Sequence, residues 1–270
     1  MNIEFKPCGI SDIIKLMNSY VKTLSSPFDS YLDDHVIASE FYEVVKDKVG
    51  IGYFAIFEGK LLTQFYIEYK HLRHAQNIFK TILESFKEID SAYVCTGDEL
   101  FLSYVCDIEN KNNIENKNIS NQAYFFQDNK ECEDEVSFYE GGSLRLANLQ
   151  DVNIIKELSV DFFEDVDAQI KDGELYVFEK DDNGEVLGFG ITEKGQILKG
   201  YTSIGMFTRE CYRQKGIGRT IITKLKQLCY ENGEIPICGC WYYNTNSKLT
   251  LESCGFVSRT RLLKVEIIRN

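Results

Sequence analysis

Residues 201–208 alternate as a strand does, residues 216–230 carry apolar side chains at helical spacing, and the turn that joins them holds Gly216 and Gly218. A strand running through a glycine-containing turn into a helix leaves several backbone N–H groups without partners at the helix N-terminus, where the helix dipole favours negative charge. Glycine at 216 and 218 lets the main chain approach an anion closely, and Arg213, Lys215 and Arg219 add charge beside it. The arrangement suits a diphosphate. Two other phosphate cradles fit poorly: the turn lacks the Gly-Lys-Ser/Thr ending of a Walker loop, and Ile221 stands where a dinucleotide fingerprint needs its third glycine. Taken alone, a Gly-x-Gly also fits an ordinary tight turn.

Downstream, residues 235–241 make another strand, and Asn244-Thr245-Asn246-Ser247 supplies caps for a short helix that ends at Cys254-Gly255-Phe256. With both stretches in view, Thr208-Arg209-Glu210-Cys211-Tyr212-Arg213-Gln214-Lys215-Gly216-Ile217-Gly218 resembles motif A of the GCN5-related N-acetyltransferase (GNAT) superfamily, Arg or Gln followed by x-x-Gly-x-Gly/Ala. The stretch from Asn244 through Leu251-Glu252-Ser253 to Gly255-Phe256 resembles the same family's motif B. Two motifs in order and at the right spacing are far more specific than one. The resemblance covers about residues 143–266 and implies an α/β fold of the α+β type, a mixed, mostly antiparallel sheet flanked by helices.

The resemblance also implies a site for acetyl-CoA. The backbone of Met206 and Thr208, on either side of Phe207, would pair with the pantetheine arm as an added strand does. The turn of Arg213, Gln214, Lys215, Gly216, Ile217 and Gly218, with Arg219 and Thr220, would take the pyrophosphate. Asn244 would hydrogen-bond the pantetheine, and the helix beginning near Ser247 would border the thioester. The implied reaction is direct attack of a neutral amine on the acyl thioester, with no covalent enzyme intermediate. One departure stands out: many members place a Tyr acid in the motif B helix, and this chain has Leu251 there. Tyr242, Tyr243 and Ser247 are candidate substitutes for the acid, each with an ordinary alternative role in strand packing or helix capping, and the other course is departure of the thiolate without help. Glu210 beside the motif is a candidate base, and Asp161, Glu164 and Asp165 lie where the family's substrate-side helix falls.

The first half of the chain repeats the order of the second. Ser11-Asp12-Ile13-Ile14-Lys15 matches Val152-Asn153-Ile154-Ile155-Lys156. Each half then has a strand pair joined by turn residues (53–58 with 61–68; 175–179 with 186–192) and an amphipathic helix (75–86; 216–230). No glycine occurs between Lys60 and Gly97, so the first half cannot make the same turn and reads as a degenerate copy packed on the second. Residues 107–122, with Ile-Glu-Asn-Lys-Asn written twice, read as a surface loop, and the acidic run 128–140 reads as a linker. The expected division is 1–130, a linker at 131–142, and 143–270.

Other function classes recede. A formal charge of −12 argues against nucleic acid as a partner and favours a cationic one. No run of eighteen apolar residues and no basic leader occur, so neither a membrane span nor export is expected, and the cytoplasm is. The odd count of nine cysteines favours reduced thiols. Cys238 and Cys240 lack a second pair at zinc-like spacing, so no metal is expected. The reading is an N-acetyltransferase acting on a small amine as monomer or dimer. A non-catalytic acyl-CoA-binding regulatory or interaction protein is the alternative, and an aminoacyl transferase of the tandem kind ranks last because such proteins abandon the motif A glycines.

Overall fold

The computed structural model describes residues 3–108, 114–129 and 138–269, and the chain divides into two units. Unit 1 takes Met1–Phe125, Gln196–Leu198 and Arg259–Asn270; unit 2 takes Phe126–Gly195 and Lys199–Ser258. The first ten elements are β1 (Ile3–Cys8), α1 (Ile14–Val21), α2 (Ser30–Ile37), β2 (Glu40–Lys46), β3 (Val49–Phe57), β4 (Leu61–Ile67), α3 (Ala75–Ser85), β5 (Ser91–Cys95), α4 (Glu99–Cys106) and β6 (Ile114–Asp128). The next ten repeat that order: β7 (Gly142–Leu146), α5 (Val152–Ser159), α6 (Val166–Lys171), β8 (Leu175–Lys180), β9 (Val186–Lys194), β10 (Tyr201–Thr208), α7 (Ile217–Glu231), β11 (Ile235–Trp241), α8 (Thr245–Glu252) and β12 (Phe256–Arg269).

Each unit is a mixed, mostly antiparallel sheet with helices against it. In unit 1, β1 to β4 run antiparallel in order, β5 lies parallel to β4, and the end of β12 pairs antiparallel with β5. In unit 2, β7, β8, β9 and β10 are antiparallel neighbours and β11 lies parallel to β10. The helices bury the stripes that their periodicity marks: Ile78, Phe79, Ile82 and Leu83 of α3 join Phe54, Phe65 and Ile67 in one core. In α7 the buried residues are Ile217, Thr220, Ile221, Ile222, Leu225 and Cys229. Two glycines of β9 set how closely α7 approaches the sheet. A Cβ at Gly190 would lie 2.9 Å from Leu225 Cδ1, and one at Gly188 would lie 3.1 Å from Ile221 Cδ1, both on α7.

The internal repeat is real in architecture but two residues out of step with the literal sequence match. In unit 1 the turn after β1 is closed by Gly9 N–H donating to Asp12 Oδ2 at 2.8 Å; in unit 2 Asn148 N–H donates to Asp151 Oδ2 at 2.8 Å. Asp12 therefore corresponds to Asp151, whereas the literal match sets Ile14, 46% exposed, against the buried Ile155. In unit 2 the same Asp151 receives both guanidinium nitrogens of Arg145, each at 2.8 Å, which holds its carboxyl below the usual carboxylate range.

Two expectations are corrected. The polar stretch expected as a loop over 107–122 is a strand from Ile114 onward; residues 109–113 lie outside the described residues. Its polar side chains belong to an exposed strand: Asn118, Ile119 and Ser120 face solvent, and Asn118 Nδ2 donates to Glu266 Oε2 of β12 at 2.7 Å. Backbone pairing, which polarity does not report, makes the strand. Asp128, counted with the acidic linker, has a side chain only 5% exposed and is held by Lys226 Nζ at 2.8 Å and Tyr230 Oη at 2.6 Å, both from α7. Residues 130–137 of that linker lie outside the described residues.

Unit 1 also buries a carboxyl. Asp98 is 4% exposed, caps α4 by accepting from Phe101 N–H at 3.0 Å, and is hydrogen-bonded to Tyr20 beside Tyr53 and Cys95. Burial pushes its pKa up to about 6. An unfolded chain titrates this group near 4, so the stability it supports is complete below about pH 4 and is lost as pH rises through about 6. Asp98→Asn keeps the cap acceptor without the charge. Urea unfolding at about pH 4 and 7.5 should show the wild type losing roughly 2–3 kcal/mol more than the variant between the two; superimposable pH profiles would contradict the assignment.

Candidate functional site

Site formation begins where β10 and β11 part. They pair in parallel through Tyr201↔Ile235, Thr202↔Pro236 and Ser203↔Ile237 and diverge beyond, while β10 stays paired to β9 as far as Thr208↔Gly188. The far half of β10 therefore presents one open edge to a cleft of about 1040 Å³.

At the mouth of the split, the turn into α7 is built from alternating backbone conformations: Arg213 is extended, Gln214 has φ 62° and Gly216 has φ 80°. The first intrahelical bond is Thr220 N–H to Gly216 O at 2.9 Å, and among the described residues no side chain caps the helix. The N–H groups of Ile217 and Gly218 have no partner among the described residues, so the fifteen-residue α7 brings a bare N-terminus to the cleft wall. A Cβ at Gly218 would sit 3.2 Å from Thr208 Oγ1 and 3.6 Å from Met206 Cγ, so this glycine keeps the wall open beside the end of β10.

Met206, Phe207, Thr208, Arg213, Gln214, Lys215, Gly216, Ile217, Gly218, Arg219, Asn244 and Ser247 all line this one cleft. Thr220 does not: it is 2% exposed, and its hydroxyl donates to Gly216 O at 3.1 Å and accepts from Tyr139 N–H at 2.8 Å. Asn244 caps α8, its Oδ1 accepting from Ser247 N–H at 3.1 Å. Of the three residues considered for proton transfer, Ser247 lines the cleft and its hydroxyl has no partner among the described residues; Tyr242 and Glu210 are not in the lining. Leu251 is 2% exposed and packs inward from α8.

Several lining residues had escaped the sequence. Asn246, Leu249 and Thr250 of α8, with its C-cap residue Ser253, form a cleft-facing stripe at helical spacing. Tyr212 lies within the turn and gathers charge. Its hydroxyl donates to Glu185, and Lys180 Nζ, Arg209 Cζ and Lys215 Nζ stand 5.1, 5.4 and 5.0 Å from its ring centroid. The bond from Lys180 holds Glu185 below its ordinary pKa, and that from Glu185 raises Tyr212. Phe162 comes from the α5–α6 loop, beside Val160 at φ 51°, and its ring meets Phe207 at 5.4 Å, with Phe189 behind at 6.0 Å. Phe138 comes from the segment before β7. No spacing rule marks either. Among the described residues no acidic side chain lines the cleft, and Arg213, Lys215 and Arg219 are the charged side chains in that lining.

Comparison with known proteins agrees in both halves. Residues 9–129 match the family described as acetyltransferase (GNAT) domain, and residues 145–256 match acetyltransferase (GNAT) family. No curated protein matches the chain in sequence. Among solved structures, an acetyltransferase of the GNAT family from Colwellia psychrerythraea superposes with a TM-score of 0.84 at 17% identity, covering 97% of this chain and 99% of that one. A tandem GNAT protein from the clavulanic acid biosynthesis pathway gives 0.66 at 11% identity, covering 99% and 98%. A GCN5-related N-acetyltransferase from Sphaerobacter thermophilus gives 0.68 at 13% identity, covering 99% and 96%. At these identities the likeness is one of fold.

Gly216 holds a left-handed conformation that a side chain resists. Gly216→Ala should therefore destabilise unit 2 by about 1–2 kcal/mol and weaken inorganic pyrophosphate binding several-fold, read by thermal melts and calorimetry. A variant that melts and binds as the wild type does would remove the turn from the account.

Proposed function

The chain belongs to the GNAT acetyltransferase superfamily, with two such domains in tandem, and we propose that unit 2 transfers an acetyl group from acetyl-CoA to the amine of a small molecule. The observation that carries this reading is the uncapped N-terminus of α7, with its Gly216–Gly218 turn, at the mouth of the split between β10 and β11. A diphosphate is favoured there by the helix dipole and by Arg213, Lys215 and Arg219, and an extended amide-bearing arm fits against the open edge of β10.

In this reading the amine nitrogen attacks the thioester carbonyl carbon, the C–S bond breaks, and the amine's proton is taken up by solvent or the departing sulfur. The cleft supplies proximity, with Phe162, Phe207 and Leu249 as its apolar lining. Ser247, at the start of α8, gives its hydroxyl proton to the leaving sulfur and is reprotonated through solvent by the proton that the amine sheds, the role that the family's Tyr has and that the inward-packed Leu251 cannot take. A thiol, with a pKa near 8.5, leaves with modest help. The inward-packed Leu251, where the family has its acid, favours one other reading, an acyl-CoA-binding protein without turnover.

Release of free thiol from acetyl-CoA, followed across a panel of small amines, distinguishes the two. The proposal expects amine-dependent release, and Ser247→Ala should lower kcat by about ten- to a hundred-fold with the acetyl-CoA Kd unchanged. Acetyl-CoA binding with no release for any amine would favour the non-catalytic reading.

A further inference from the structure

We infer that Phe138 is the platform on which the adenine ring of the coenzyme stacks, an inference that rests on the acetyl-CoA reading above. Among the described residues four aromatic side chains line the cleft, and three are engaged. Phe162 packs on Phe163 and Phe207, Phe207 packs also on Phe189, and Tyr212 is tied to Glu185 and ringed by cations. Phe138 makes no ring contact among the described residues and is 53% exposed.

Its position is fixed at the phosphate end by the next residue. Tyr139 N–H donates to Thr220 Oγ1 at 2.8 Å, that hydroxyl donates to Gly216 O at 3.1 Å, and the Tyr139 ring meets Phe178 edge-on at 6.3 Å. Asp181 N–H donates to Gly141 O at 3.0 Å and holds the other side of the segment. An aromatic side chain half open to solvent is thus anchored, through its neighbour, to the first turn of the helix whose N-terminus suits a diphosphate. The adenosine joined to that diphosphate must lie within a few ångströms of it, and a purine ring is a flat partner for a phenyl face. This also gives Thr220 a task other than phosphate contact: it pins the segment that carries the platform.

Calorimetric titration of acetyl-CoA into the full chain tests the inference. Phe138→Ala should raise Kd about five- to a hundred-fold, Phe138→Leu should not restore it, and Phe138→Trp should restore it with quenching of indole fluorescence beyond that of the wild type. Because Phe138 is exposed, all three variants should melt as the wild type does. A Kd within about twofold of wild type in Phe138→Ala, or restoration by Leu equal to that by Trp, overturns the platform while leaving acetyl-CoA binding intact. A wild type that binds no acetyl-CoA overturns this inference and the proposed function together.

Discussion

A parallel strand pair requires a crossover, and in unit 2 that requirement sets everything else. Because β10 and β11 run in the same direction, the chain must climb back across the sheet, and α7 does so. Its N-terminus then has to begin at the end of β10, and Gly188 and Gly190 of β9 let it lie close against the sheet. Since the strands stay paired for only three residues, that N-terminus opens onto a split. A charged helix end, an unpaired strand edge and a stripe of α8 side chains converge on one cleft as a consequence of topology.

Unit 1 has the same crossover without the same chemistry. β4 and β5 pair in parallel at Leu61↔Ser91 and Leu62↔Ala92, and α3 climbs between them. Yet a 3-10 turn of Tyr69–His74 stands where unit 2 has its glycines, and a buried Asp98 caps α4 where Asn244 caps α8. The hydroxyl of Tyr53 and both ends of the Gln64 amide are buried without hydrogen-bond partners among the described residues. The fold was retained while the features that would favour a diphosphate at this turn were not.

Much of this was legible because it is local. The strand at Tyr201–Thr208, the helix from Ile217 and the turn between them follow from alternation, helical spacing and glycine, and the cleft lining gathers nearly every residue named for it. What stayed hidden depends on long-range pairing. The polar strand at Ile114–Asp128 looks like a loop until its neighbour in the sheet is known, and Asp128 looks solvated until Lys226 and Tyr230 are placed beside it. Thr220 has the right sequence position for a phosphate contact, but its hydroxyl is spent on Tyr139, 81 residues away along the chain. Phe138 and Phe162 reach the cleft from segments whose course the sequence pattern does not dictate.

In the proposed function the turn into α7 holds the diphosphate of an acyl-coenzyme A. Calorimetric titration of acetyl-CoA into the wild type and into Gly218→Trp tests it most directly, because the indole would fill the space beside Thr208, Met206 and Thr250. The account predicts saturable binding at one site in the wild type and none in the variant, with both proteins melting cooperatively. Equal binding by the two proteins, or no binding by the wild type, would contradict it.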